Sequence, residues 1–179
     1  YVTFGVTDLT PECNIDWVNK EGYLPCFVST YTKGSMDYTI ENFADLVVIN
    51  DRNYEIAYSR MTVTNHTAAV QTLPKVSAGL VPLNNAAKSQ TTIAPGETVI
   101  RDYAIGADRF GNDYAYPSNM EIAAAGDFDT HYQHMKKYWD DRLKDLVDIV
   151  QLPDESLINA YKAGYIYMMI VKDGTGLNV

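Results

Sequence analysis

The chain has 179 residues and a mass of 20.0 kDa, with 46% hydrophobic and 21% charged residues, so it is neither disordered nor collagen-like. Its net charge of −9 argues against a nucleic-acid or anionic-membrane partner, both of which need local positive charge. No run of about 18 apolar residues exists to span a membrane; the longest, Ala163 to Val171, is too short and contains Gly164, Tyr165 and Tyr167.

From Tyr1 to about Tyr116 the texture is β. Tyr, Thr and Val are frequent, and breakers recur at Gly22, Pro25, Gly34, Asn50-Asp51, Asn65, Pro74, Pro82, Asn84-Asn85 and Pro95-Gly96. Short runs between turn residues predict an antiparallel β-sandwich over residues 1–126. The clearest strands are Leu46 to Ile49, Glu55 to Thr64 and Thr98 to Ile105. In the second, Ala57, Ser59, Met61 and Val63 share one face, and Ile56, Tyr58, Arg60 and Thr62 the other. Ala94-Pro95-Gly96-Glu97 predicts a tight turn, with proline presetting φ and glycine accepting a positive φ.

From Asp127 the period changes. Phe128, Tyr132, Met135, Trp139, Leu143, Leu146, Val147 and Val150 recur at three- and four-residue steps, one apolar face of a linker helix over 127–152. Thr130 with Gln133 suits a capping box, and Asp127 or Asp129 favours the same end. Lys136, Lys137, Asp140, Asp141, Arg142, Lys144 and Asp145 make the solvated face. Pro153 stops this helix and Asp154 caps another, which is apolar almost all round and ends near Lys172-Asp173-Gly174. Such a helix needs neighbours on most sides, so residues 153–179 read as the start of a truncated helical domain or as a surface for a partner subunit.

Several candidate sites stand in the sequence. Trp17, Tyr114 and Tyr116, with Tyr23, are candidates for an aromatic platform on which sugar rings stack. Asp108 to Asp113 is acidic, but Arg109 and Phe110 interrupt a calcium-loop pattern, so a polar hairpin turn is expected. His131 and His134 lie one helical turn apart without a third ligand nearby, so a solvated helix start is expected and no metal. Cys13 and Cys26 read equally as a short-loop disulfide or as two buried thiols. Asn65-His66-Thr67 is a glycosylation sequon, relevant only in a eukaryotic secretory setting. No nucleophile elbow, phosphate loop or dinucleotide fingerprint is present, and no cofactor is expected.

One stretch carries a family likeness. Tyr138-Trp139-Asp140-Asp141-Arg142-Leu143, then Ile149-Val150-Gln151-Leu152-Pro153-Asp154, then Leu157 to Gly164, resembles the opening of the first barrel helix in six-hairpin glycosidases and related sugar phosphorylases. The resemblance implies a sandwich, a linker helix and the first helix of an (α/α)6 barrel, with carbohydrate as the partner. It places the catalytic carboxylates in later hairpins, so no catalytic residue is assigned here. It puts Lys172 and Asp173 toward the substrate end, where the competing reading is a helix C-cap. The expected role is the non-catalytic N-terminal portion of a glycoside hydrolase or sugar phosphorylase. The alternative is a stand-alone carbohydrate-binding or adhesion sandwich. Sugar, linkage and compartment stay open.

Overall fold

A computed structural model describes residues 13–107, 115–146, 149, 152–173 and 176–177, the last three of these (173, 176 and 177) by backbone alone. The chain is mainly β, with one large antiparallel sheet and helices concentrated toward the C-terminus. Strands β1 (Asp16–Asn19), β2 (Phe27–Lys33), β3 (Met36–Ile49) and β4 (Arg52–Asn65) form consecutive neighbours. Two-residue strands β5 (Gln71–Thr72), β6 (Val81–Pro82) and β7 (Thr92–Ile93) precede β8 (Thr98–Gly106). The sheet order is β1-β2-β3-β4-β8-β6, and β5 pairs separately with β7.

Turn chemistry sets the hairpins. Asn50 and Asp51, at φ 51° and 59°, join β3 to β4, and Gly34 and Ser35, at φ 60° and 62°, join β2 to β3. Two successive positive φ values give the turn whose twist matches paired strands. The expected turn at Ala94–Glu97 also forms: Gly96 has φ 72° and the Glu97 N–H donates to the Ala94 carbonyl at 3.1 Å.

The β3–β4 hairpin pairs residue for residue from Ile49↔Arg52 to Met36↔Asn65. Its two halves bury opposite faces. Near the turn, Phe43, Val47, Ile49, Tyr54, Ile56 and Tyr58 form a core with Phe128, Tyr132, Met135, Trp139 and Ile166. Toward the open end, the other face supplies Met36, Tyr38, Ile40, Met61 and Val63 to a second core with Tyr31, Leu73, Ile93 and Val99. The first of these faces is called here the helix side, the second the far side. The two-stranded β5–β7 sheet lies with the far-side core through Ile93, so only one sheet of the described residues is large.

The helices are α1 (Asn85–Ser89), α2 (Asn119–Ala124), α3 (Phe128–Leu143) and α4 (Glu155–Ile170). α1, inside the stretch expected to be wholly β, is capped by the Asn84 side chain. Ser118 and Glu121 make a full capping box on α2. At α3 the cap is the Asp127 carboxylate, accepting from the Thr130 N–H, and not the expected Thr130–Gln133 box. Hydrogen bonds from Thr130 hold the Asp127 carboxyl below its ordinary value.

α3 stops at Leu143, well before Pro153, so Pro153 does not end it. The stripe is buried at Phe128, Tyr132, Met135 and Trp139 and half-buried at Leu143. Val147 and Val150, expected on the same stripe, lie outside the described residues. Asp154 caps α4 as expected, accepting from the Ser156 N–H. Lys172–Asp173, expected as a helix stop, forms strand β9, which pairs with β10 (Gly176–Leu177).

α4 is seated by a close approach. Gly22, at φ 79° in the turn after β1, faces Asn159, whose Nδ2 would stand 2.5 Å from a Cβ at that position. Only glycine allows the helix this near. α4 buries Ala163 and Ile166, while Leu157, Tyr161, Met168 and Val171 are exposed.

The two-faced hairpin makes a paired prediction. Trp139→Ala opens the helix-side core and costs ~3–5 kcal/mol. Val48→Ala, on the bare face near the turn where Val48 is 66% exposed, stays within about 0.5 kcal/mol of the parent. Urea titrations of both variants check this, and equal losses would place a layer over Val48.

Candidate functional site

The polar chemistry of the described residues gathers in the seam between the sheet and α3. Asp45, on β3 amid the helix-side core, accepts from the Nδ1–H of His131 at 2.9 Å and from that of His134 at 2.8 Å. His131 is buried and stacks on Tyr58, with ring centroids 4.4 Å apart and planes 17° from parallel. This corrects the expected solvated helix start: only the His134 side chain is open, at 60% exposure. The signal missed in the sequence is Asp45, which brings two histidines of one helical turn onto a single carboxylate from 86 and 89 residues away. His131 Nε2 is buried without a hydrogen-bond partner, and it faces Gly126, where a Cβ would stand 2.7 Å from it. No group of three metal-binding side chains occurs among the described residues.

Beside it, Arg60 holds Asp102 with two hydrogen bonds of 2.7 and 3.0 Å and Asp129 with two of 2.8 and 3.0 Å. Its guanidinium carbon lies 4.2 Å from the Phe128 ring centroid. The bond to Asp102 is the main cause that raises the Arg60 pKa, against the opposing effect of burial. Bidentate pairing of this kind adds geometric specificity to charge.

A third cluster stands where the turn after β1 meets α3. Tyr23 donates to Asp140 at 2.7 Å and Tyr132 to Glu21 at 2.9 Å, while Lys136 binds Glu21 and lies 3.2 Å from Asp140. Burial raises the Tyr23 pKa, and the bond to Asp140 adds to it. Burial works against the Lys136 charge, yet Glu21, Asp140 and Tyr23 outweigh it and raise the Lys136 pKa. A cleft of about 500 Å³ opens here between α3 and α4, lined by Tyr23, Asp140, Leu143, Ile158, Tyr161 and Lys162.

Of the residues expected to touch sugar, the described aromatics Trp17, Tyr23 and Tyr116 lie apart. Trp17 is on edge strand β1, 67% exposed, with its ring centroid 6.1 Å from that of Phe27. Tyr116 is exposed and lies against Gly106 at the other end of the sheet. Tyr23 belongs to the polar cluster at Asp140. Tyr114 and the acidic stretch 108–113 lie outside the described residues. Lys172 is exposed at the start of β9, and the Asp173 side chain is outside the description.

The cysteines are free and buried, Cys13 in the far-side core and Cys26 in the helix-side core, which decides for two thiols over a disulfide. Burial pushes the Cys26 thiol up to about 12. The sequon is also resolved. Asn65 is fully buried; its Nδ2 donates to the carbonyls of Ala69 at 2.9 Å and Ile93 at 3.1 Å, and its Oδ1 accepts from Thr67.

No helix among the described residues is long and apolar enough to cross a membrane. No protein-family model, curated protein or solved structure matches the chain.

Two outcomes are expected from this geometry. Asp45→Ala removes the acceptor of both histidines and costs ~2–4 kcal/mol, whereas His134→Ala costs at most ~1 kcal/mol because its ring is mostly solvated; thermal or urea unfolding separates the two. The folded protein offered to an oligosaccharyltransferase takes no glycan on Asn65, read as intact mass, because the amide nitrogen is buried and bonded; a glycoform at that residue would show that the Asn65 loop opens in the folded chain.

Proposed function

We propose that the chain forms the N-terminal β-sandwich layer, linker helix and first barrel helix of a six-hairpin carbohydrate-active enzyme, a glycoside hydrolase or a related sugar phosphorylase. The observation that carries this reading is the stripe on α4. Leu157, Tyr161, Gly164, Met168 and Val171 recur at four- and three-residue steps, and all are exposed while Ala163 and Ile166 on the opposite side are buried. A helix apolar on its outer side is built for further helices there. The docking of α3 on the sheet supports the linker reading, and the far-side core with β5–β7 supports a second layer over that face.

The carboxylates of the seam are committed to structure. Asp45 serves two histidines, Asp102 and Asp129 serve Arg60, and Asp140 serves Tyr23 and Lys136. Glycosidic cleavage needs a proton donor and a second carboxylate flanking the scissile bond. In this reading both come from later hairpins, and this chain's part is to seat the barrel and shape one wall of the cleft, with Lys172 and Asp173 at the sugar. The stand-alone binding module is the second reading, favoured by the exposed aromatics Trp17, Phe27 and Tyr167.

The test is a screen of oligosaccharides against the 179-residue chain and against a longer protein that continues into further helical hairpins. The longer protein turns over a glycoside and the shorter does not. In the longer one, Asp173→Asn raises KM more than it lowers kcat. Turnover by the 179-residue chain, abolished by replacing one of its own carboxylates, overturns the reading.

A further inference from the structure

We propose that Trp17, Phe27 and Tyr167 form a ledge that binds a neutral oligosaccharide, an inference that rests on the carbohydrate reading above. Trp17 and Phe27 project on the far side of the sheet from β1 and β2. Their ring centroids are 6.1 Å apart, with planes 58° from parallel. Tyr167 comes from α4 and lies 6.4 Å from Phe27, with planes 12° from parallel. The Tyr167 hydroxyl donates to Asn19 Oδ1 at 2.7 Å, which ties α4 to β1 and fixes the third ring. All three rings are exposed. They come from three separate elements, so their adjacency belongs to the tertiary structure and not to a run of aromatics in the sequence.

The rim decides the occupant. Strand register sets Ser29 opposite Trp17 and Asn42 opposite Phe27 on the same face. Asn42 Oδ1 is buried without a hydrogen-bond partner, so it stands beneath the ledge and not on its rim. With Asn19 and the Tyr167 hydroxyl, the rim presents amide and hydroxyl groups, while exposed Asp16, the neighbour of Trp17 on β1, projects on the opposite face and is itself an anion. Lys20, next along the chain from β1, is held by Glu41 at 2.6 Å, and Glu41 projects on the helix side. An anionic ligand therefore meets no complementary charge on the rim. A pyranose ring has an apolar C–H face that lies flat on an aromatic ring and neutral hydroxyls at its edge that amides and hydroxyls bond.

The chain carries its own reporter. Of its two tryptophans, Trp17 is 67% exposed and Trp139 is 8% exposed, so a ligand on the ledge changes the emission of Trp17 alone. The experiment titrates the 179-residue chain with neutral β-1,4- and α-1,4-linked gluco-, xylo- and manno-oligosaccharides while reading tryptophan emission and, separately, calorimetric heat. At least one series gives a saturable blue shift. Trp17→Ala lowers its affinity by about tenfold or more, and Trp17→Phe, which keeps a flat ring, by about threefold. Unchanged melting temperatures show that the variants fold, as expected for such an exposed position. No shift with any series, or equal affinity in Trp17→Ala, overturns the proposal. So does a concentration-dependent dimer in sedimentation that Trp17→Ala abolishes, which would give the ledge to a second copy of the chain. Turnover by the longer protein with a silent Trp17 sinks the ledge and leaves the enzyme reading intact; binding at the ledge without turnover does the reverse.

Discussion

The 14-residue pairing of β3 with β4 carries the rest of the molecule, because its two ends bury opposite faces. Alternation along a strand gives each face a side chain every second residue. In an ordinary two-layer fold one face is apolar throughout. Here Phe43, Val47 and Ile49 face the helices, and the opposite set Met36, Tyr38 and Ile40 takes over farther along the same strand. Partner β4 makes the same exchange between Tyr58 and Met61. The crossover is where polar groups are embedded: Arg60 and Asp102 pair across β4 and β8 on one face, while Ser59 lies buried on the other. A buried charge is tolerable only when paired and hydrogen-bonded, and Arg60 supplies this by bonding Asp102 beside it and Asp129 on α3.

That arrangement explains why an acidic chain has so few spare carboxylates in its seam. α3 must sit on a sheet whose covering face contains Asp45 and Asp102, so it brings His131 and His134 to the first, while Arg60 satisfies the second. The stacking of His131 on Tyr58 and of Arg60 on Phe128 lets these groups fill apolar volume as well. The helix is thus keyed in register by polar contacts over its first two turns and by Met135 and Trp139 beyond them.

Much of this was legible before the structure. The strands around Glu55 and Thr98, the turn at Pro95-Gly96, the apolar stripe of α3 and the Asp154 cap are local patterns, and local patterns are what sequence periodicity records. The exchange of faces was not legible, because β3 reads as alternating whichever face is buried. Asp45 was silent for another reason. Its meaning depends on α3 arriving above β3, a contact between residues 86 apart. The sequon misled in the same way: Asn65-His66-Thr67 has the right letters, but Asn65 is spent on holding the loop after β4 against Ile93. The early end of α3 has no glycine or proline to announce it.

The rotation of α4 about its own axis ties these parts together. Successive residues on a helix point 100° apart, and Ile166, Tyr167 and Met168 go three ways: into the helix-side core, onto the ledge with Phe27, and into the exposed stripe. A turn of one residue would put Tyr165 into the core and Ile166 onto the ledge. The contact of Asn159 with Gly22 holds the azimuth, since Asn159 and Ile166 are two turns apart on the same side and Gly22 alone lets the helix approach. The Tyr167–Asn19 hydrogen bond fixes the same angle at the last residue of β1, three positions before Gly22. A side chain at residue 22 would therefore act at a distance: pushing Asn159 away rotates or lifts α4, and the core, the ledge and the stripe would change together, although residue 22 lies in none of them.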